Sequence, residues 1–291
     1  MAGVLIVLPP SEGKTSPPAS CSPGQPNLLA HDQQLGHTRR LVADALMEVC
    51  RQDNAAQILG VGAAVARELG HNLQLASAPA APAAQVYTGV LYAAAQLHLA
   101  APEASSRVRI FSALWGALSP LDRIPAYRLS MGVDLPGIGK LAAAWRAPLA
   151  QALQPLATDD VVVDCRSAAY VAAWKPDTSQ GDWASIKVLR EQNGKRTVVS
   201  HHAKHTRGLV TRHLLTRQGT PPSTAHSLLE AVGELVGTAT ANPANKPKQA
   251  NQPHTTGSAS TYRLLDVALH QPTSTRPSGA SGPHTLEVVV G

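Results

Sequence analysis

Apolar residues along this chain fall into two kinds of pattern. Val4-Leu5-Ile6-Val7-Leu8 is a continuous apolar run, stopped by Pro9-Pro10, and predicts a strand buried on both faces. Val108-Arg109-Ile110-Phe111-Ser112 and Val161-Val162-Val163-Asp164-Cys165 predict two more strands. Between them the spacing becomes helical. Over residues 28–69, Leu41, Ala45, Leu46 and Val49 share one face, and Ile58-Leu59-Gly60-Val61-Gly62 interrupts the run. Helices are also predicted at residues 93–99, at 141–153, from Ala168, at 207–215 and at 225–236. Asn193-Gly194, between Ile186–Arg190 and Thr197–His201, is the chain's strongest hairpin signal.

Later stretches lose their period. Residues 238–260 are rich in Ala, Asn, Pro, Lys, Gln and Thr and predict a disordered loop. Tyr262–Leu269 predicts a returning strand, and 271–291 a flexible tail. The expected architecture is one mixed α/β domain over residues 1–270, with a central sheet, peripheral helices and a basic cleft. The Val4–Leu8 run is too short for a secretory leader, and no stretch reaches the roughly 20 apolar residues that span a bilayer. Cys21, Cys50 and Cys165 are widely spaced and odd in number, which argues against a disulfide framework and for a reducing compartment, the cytoplasm.

Charge narrows the partners. The formal net charge is +6, which favours phosphates, nucleotides or nucleic acid. Twelve basic or titratable groups crowd between Lys187 and Arg217, among them Lys204, Arg207 and Arg212, with only Glu191 opposing them locally. Ser11-Glu12-Gly13-Lys14 follows a predicted strand, where backbone N–H groups and an ammonium can meet a phosphate. It lacks the spacing of a Walker A loop. Asp122, Tyr127, Arg128 and Asp164 are candidates for acid, base and orienting groups, with Lys14 and Lys204 as candidate cations. The alternative for the two carboxylates is structural, as a helix cap or an ion pair. No Ser-His-Asp or Cys-His order is recognisable, so no nucleophile is assigned. His201, His202 and His205 lack the Glu of an H-E-x-x-H site, and neither metal nor cofactor is expected. The four tryptophans are candidates for base stacking or, more commonly, for packing.

The ordered series Pro9–Lys14, Val86–Val90, Ser112–Asp122 with Tyr127-Arg128-Leu129, Asp164–Ser167 with Tyr170, and Ser200–Lys204 with Arg207-Gly208 resembles the YaaA family of bacterial peroxide-stress proteins. The resemblance covers about residues 4–236 and a short piece near Leu264–Val267. It implies a role in resistance to peroxide stress, a compact α/β fold with a basic cleft, and DNA binding through a helix-hairpin-helix element. No reaction is attached to the family as a whole. Two segments fit the h-x-G-h-G consensus of that element, one at residues 58–66 and one at 135–143. The first has predicted helix on both sides and falls where the family's element lies, so Gly60 and Gly62 join Ser11, Lys14, Arg128, Lys204, Arg207 and Arg212 as candidate anion contacts. The expected partner is DNA, held by its phosphates without sequence preference. The alternative is an enzyme acting on a phosphate-bearing small molecule in the same cleft, with Lys14, Lys204 and Asp164 converging.

Overall fold

The computed structural model describes residues 3–241, 261–272 and 282–291. The chain begins with β1 (Val4–Leu8), all five residues buried, as a continuous apolar run requires. Then come α1 (Asp32–Cys50), α2 (Ala55–Ile58), α3 (Ala63–Ala66), β2 (Ala81–Pro82), α4 (Ala83–Val86), α5 (Val90–Ala95) and α6 (Pro102–Ser105). β3 (Val108–Ser112), β4 (Gly116–Leu118), β5 (Arg123–Ile124), β6 (Asp134–Leu135), β7 (Gly139–Lys140) and α7 (Leu141–Ala157) follow. The last third holds β8 (Val161–Asp164), α8 (Ala168–Val171), β9 (Asp182–Gln192), β10 (Lys195–Val198), α9 (Ser200–Thr216), α10 (Ala225–Gly233), β11 (Ala239–Ala241), β12 (Thr261–His270) and β13 (His284–Val290).

One sheet organises the molecule, in the order β11-β12-β13-β9-β8-β1-β3-β4. The five strands from β13 to β3 run parallel, and the outer strands β4, β12 and β11 are antiparallel. β9 is long enough to hold two neighbours on one edge. Asp182–Ser185 pair with β8, while Leu189–Gln192 pair with β10 through the Asn193-Gly194 turn. β10 therefore lies just past the carboxyl end of β8.

Two expectations are corrected here. Residues 284–290 are not part of a flexible tail; they form β13, inserted between β12 and β9 with Leu286 to Val290 buried. Residues 239–241 are strand rather than loop, and residues 242–260 of the expected loop and residues 273–281 lie outside the described residues. The buried face of α1 also differs. It is Leu35, Arg39, Val42, Leu46 and Val49, with Leu41 turned to solvent. A buried Arg39 is tolerated because its guanidinium donates to the carbonyls of Ala30, Trp115 and Ala117. Among the described residues, no helix is long and apolar enough to cross a membrane.

Helices α5 and α9 lie against each other. Gly208 is the point of closest approach, since a Cβ there would strike the carbonyl of Leu91. Further along α9, Arg212, Leu215 and Thr216 share a small depression with Ala95, Gln96, Leu99 and Ala100. The two helices thus run in the same direction, and both begin at the carboxyl edge of the parallel strands.

Candidate functional site

The chain leaves β1 towards β3 on one side and leaves β8 towards β9 on the other. Parallel α/β sheets bind ligands at such a reversal, beyond the carboxyl ends of the strands. The loop from Pro9 to Lys14 follows β1, the Ala113–Trp115 turn follows β3, and Cys165–Ser167 follow β8.

Lys14 is the centre of this edge. Its backbone bridges Tyr87, and the loop is fastened by Thr15 N–H to the Val86 carbonyl and Thr88 N–H to Ser11 Oγ. Ser11 Oγ donates in turn to the Gly13 carbonyl. The Lys14 ammonium donates to the Ser11 carbonyl at 2.8 Å and lies 4.6 Å from the Tyr127 ring centre and 5.5 Å from that of Tyr87. Burial pulls its pKa down to about 7, assisted by Arg128 and resisted by Glu12 and Glu68.

Four of the five tyrosines gather here. The Tyr87 and Tyr127 hydroxyls are 2.7 Å apart, and Tyr127 is 2.7 Å from Ser112 Oγ. Ser112 Oγ already accepts from the N–H groups of Leu114 and Trp115, so its own proton goes to Tyr127. Tyr127 then donates to Tyr87, and the Tyr87 hydroxyl at the end of the chain has beside it only Ser112 Oγ, which already accepts twice. Tyr92 donates to the Pro9 carbonyl, and Tyr170 accepts from the Met131 N–H. Burial raises all four phenols, Tyr170 to about 12 and the others further.

Arg128 ties this centre to a second feature. Its guanidinium binds Glu68 and the Glu12 carbonyl, while Asn72 holds its backbone N–H and carbonyl, each at 2.8 Å. Glu68 closely follows α3. Between α2 and α3, Gly60 adopts φ +64°, and added Cβ atoms at Gly60 or Gly62 would meet nothing within 4 Å. The turn thus presents bare backbone to solvent. The other consensus segment also has open glycines, Gly137 at φ +83° and Gly139 at φ +82°, but they sit in the β6–β7 hairpin that leads into α7, with no helix before it.

The remaining candidates are placed differently. Asp164 is buried, and its oxygens are occupied by the backbone N–H and guanidinium of Arg166 and by Trp183 Nε1. It is an anchor at the end of β8, ion-paired with Arg166. Asp122 accepts from the N–H groups of Ala30 and Ser119 and fixes two loops. Burial raises its pKa against those bonds and against Arg39 and Arg109. Lys204 is exposed on α9, one turn before Gly208 and on the same face, which puts it towards the start of α5. Gly89, at that start, approaches the Ser11 side chain at 3.9 Å from its Cβ position. Arg207 turns inward and donates to the Ile186 carbonyl, and Arg212 is exposed on the last turns of α9.

Part of the basic run is neutralised. Arg196 pairs with Glu191, Asp266 and Glu287, Lys187 with Glu287, and Arg217 with Glu234. Three of these carboxylates arrive from beyond residue 230, which local counting could not see. His205 Nδ1 lies 2.6 Å from the Tyr262 hydroxyl, and no cluster able to hold a metal occurs among the described residues. All four tryptophans are buried, which fits packing and leaves none exposed for stacking. Cys165 is also buried, and its thiol is pushed up to about 12. Sequence reasoning missed the parts played by Tyr92, Ser112, Glu68 and Asn72. The one available signal was the rarity of tyrosine, with four of five recurring close to polar motifs.

Residues 4–231 match the family described as peroxide stress protein YaaA. A UPF0246 protein of Streptomyces coelicolor is 43% identical over 246 residues, covering 80% of this chain and 90% of that protein. A UPF0246 protein of Corynebacterium efficiens is 32% identical over 242 residues, covering 80% and 94%. One from Corynebacterium glutamicum is 32% identical over 214 residues, covering 72% and 84%. With its switch-point loop, its tyrosine centre and six of the nine strands of its main sheet within the matched span, the chain belongs to the YaaA family of peroxide stress proteins.

Proposed function

We propose that this protein serves the peroxide-stress response in the cytoplasm by binding DNA through phosphate contacts, without sequence preference. The contacts are made along the rim that joins the Gly60–Gly62 turn to the Lys14 loop. The observation that carries this is the link from Glu68 through Arg128 to the Glu12 carbonyl, which fixes the open glycine turn and the cationic loop to each other. Gly60 and Gly62 let a phosphate approach the backbone closely, as a helix-hairpin-helix element would. Arg67, Lys204 and Arg212 are exposed and, among the described residues, meet no carboxylate, so they are available to phosphates. A labelled duplex followed by fluorescence anisotropy should lose affinity steeply between about 50 and 200 mM salt. Gly60→Val, which disfavours the positive φ, should weaken binding several-fold with the fold retained. Affinity indifferent to salt would remove the proposal.

A second reading is favoured by one observation: Lys14 is enclosed by tyrosine rings rather than spread on an open surface. That enclosure suits a small molecule, and with it an enzymatic role.

A further inference from the structure

We propose that Lys14 is a carbonyl-capturing amine, and that the Lys14–Tyr87–Tyr127 centre holds a small polar aldehyde or ketone as a Schiff base. This rests on the small-molecule reading of the site and not on DNA binding. Three features lead to it. First, the ammonium meets two ring faces and one backbone carbonyl, and no carboxylate stands within ion-pair distance among the described residues. The nearest charges are Arg128, already paired with Glu68, and the Glu12 and Glu68 carboxylates further off. A lysine in such surroundings is about half neutral amine at pH 7, the form that attacks carbonyl carbon.

Second, the hydroxyl chain from Ser112 through Tyr127 ends on Tyr87, whose O–H has beside it only Ser112 Oγ, an atom that already accepts two N–H bonds, although the side chain is only 1% exposed. A buried donor left without a good acceptor calls for one. The oxygen of a carbonyl ligand supplies it and is polarised by it. Third, the pair stands at the switch point, where the loop after β1 is fastened to Tyr87 and Thr88 by main-chain bonds.

The step balances without any further reagent. The Lys14 nitrogen forms a bond to the carbonyl carbon, and the C=O π electrons move to the oxygen, which Tyr87 holds. Two protons leave the nitrogen and reach that oxygen, the C–O bond breaks, and water departs. An imine remains, with no change in oxidation state.

The test uses the full chain with glyoxylate and sodium cyanoborohydride, which reduces an imine to a stable secondary amine. Trypsin releases residues 1–14 from the free protein; modification of Lys14 blocks that cut and yields residues 1–39. At pH 7, Lys14 should be trapped at least about tenfold faster than the exposed Lys204, and its rate should level off near pH 8 while that of Lys204 climbs to about pH 10. Tyr87→Phe, which keeps the ring, should slow trapping at Lys14 about tenfold with an unchanged melting profile. Lys14 and Lys204 reacting alike across that range would overturn the proposal, whatever happens to DNA binding. Should Tyr87→Phe fail to fold, the wild-type pH profile decides the matter alone.

Discussion

Two cation-rich regions of this molecule meet opposite fates. On the β9–β13 face, Arg196 contacts three carboxylates at 3.0 to 3.5 Å, and Lys187 shares one of them. Apart from the buried Glu287 those groups are wet, and exposed ion pairs contribute little to stability. At the switch point, Lys14 has rings and a carbonyl in place of a counter-charge, in a site dry enough to bring it to about pKa 7. A run of basic residues in sequence looks like the stronger functional signal, yet Lys187, Arg196 and Arg217 of that run are balanced by Asp266, Glu287 and Glu234. The lysine set against rings, Lys14, is the more informative one. It is held in a state that folding alone does not favour.

The sharpest way to probe this contrast is at the buried pair beside the site. Asp164→Asn leaves the Arg166 guanidinium, fully buried, facing a neutral amide. The cost should be about 3–5 kcal/mol, read by urea unfolding. An unchanged midpoint would mean that Asp164 is no anchor and would reopen a chemical role for it. Lys14→Met should act with the opposite sign. The folded pKa of about 7 lies below the ordinary 10.5, so between those values the unfolded chain holds a proton that the folded chain lacks. Wild-type stability should therefore rise with pH across that window, and the cost of Lys14 is greatest below it. Lys14→Met should be more stable by about 2 kcal/mol at pH 6, less than the full shift because the side chain is only half-buried, and the gap should close towards pH 10.5. A constant gap would place the ammonium in water.

The parts of the fold that were legible in sequence are those whose signal is local. Val4–Leu8, Val108–Ser112 and Val161–Asp164 are apolar runs buried by neighbours on both sides, and Asn193-Gly194 supplies the two positive φ values its turn needs. β13 was missed because it follows a stretch rich in Pro, Ser and Gly. Its six register partners in β12 and seven in β9 are set by pairing, which its own composition does not encode. The α1 face was misjudged for a related reason. Arg39 points inward because carbonyls of the Leu29–Ala30 and Trp115–Ala117 loops await it, which no hydrophobic period records. At the site, Ser11, Lys14, Tyr127 and Arg128 stood out as polar residues at strand ends. The Glu68 and Asn72 contacts to Arg128 span 60 and 56 residues and leave no periodic trace. Asp122 and Asp164 carried the same signal as catalytic carboxylates, since a carboxylate at a strand end can equally well tie down loop N–H groups or a buried arginine.

The smallest expected effects separate the two cationic regions from each other. Arg196→Ala removes an exposed guanidinium already shared among Glu191, Asp266 and Glu287, so the melting temperature should barely change. Its loss should barely alter DNA affinity, because a cation neutralised by protein carboxylates releases few counterions on binding. Lys204→Ala removes a cation that meets no carboxylate among the described residues and stands at the start of α9, towards the Lys14 loop. It should leave stability unchanged and lower the slope of log affinity against log salt by about one unit. Parallel anisotropy titrations of the two variants and the wild type make the comparison. Equal slopes for Arg196→Ala and Lys204→Ala would mean that neither ion pairing nor position at the carboxyl edge decides which cations reach phosphate.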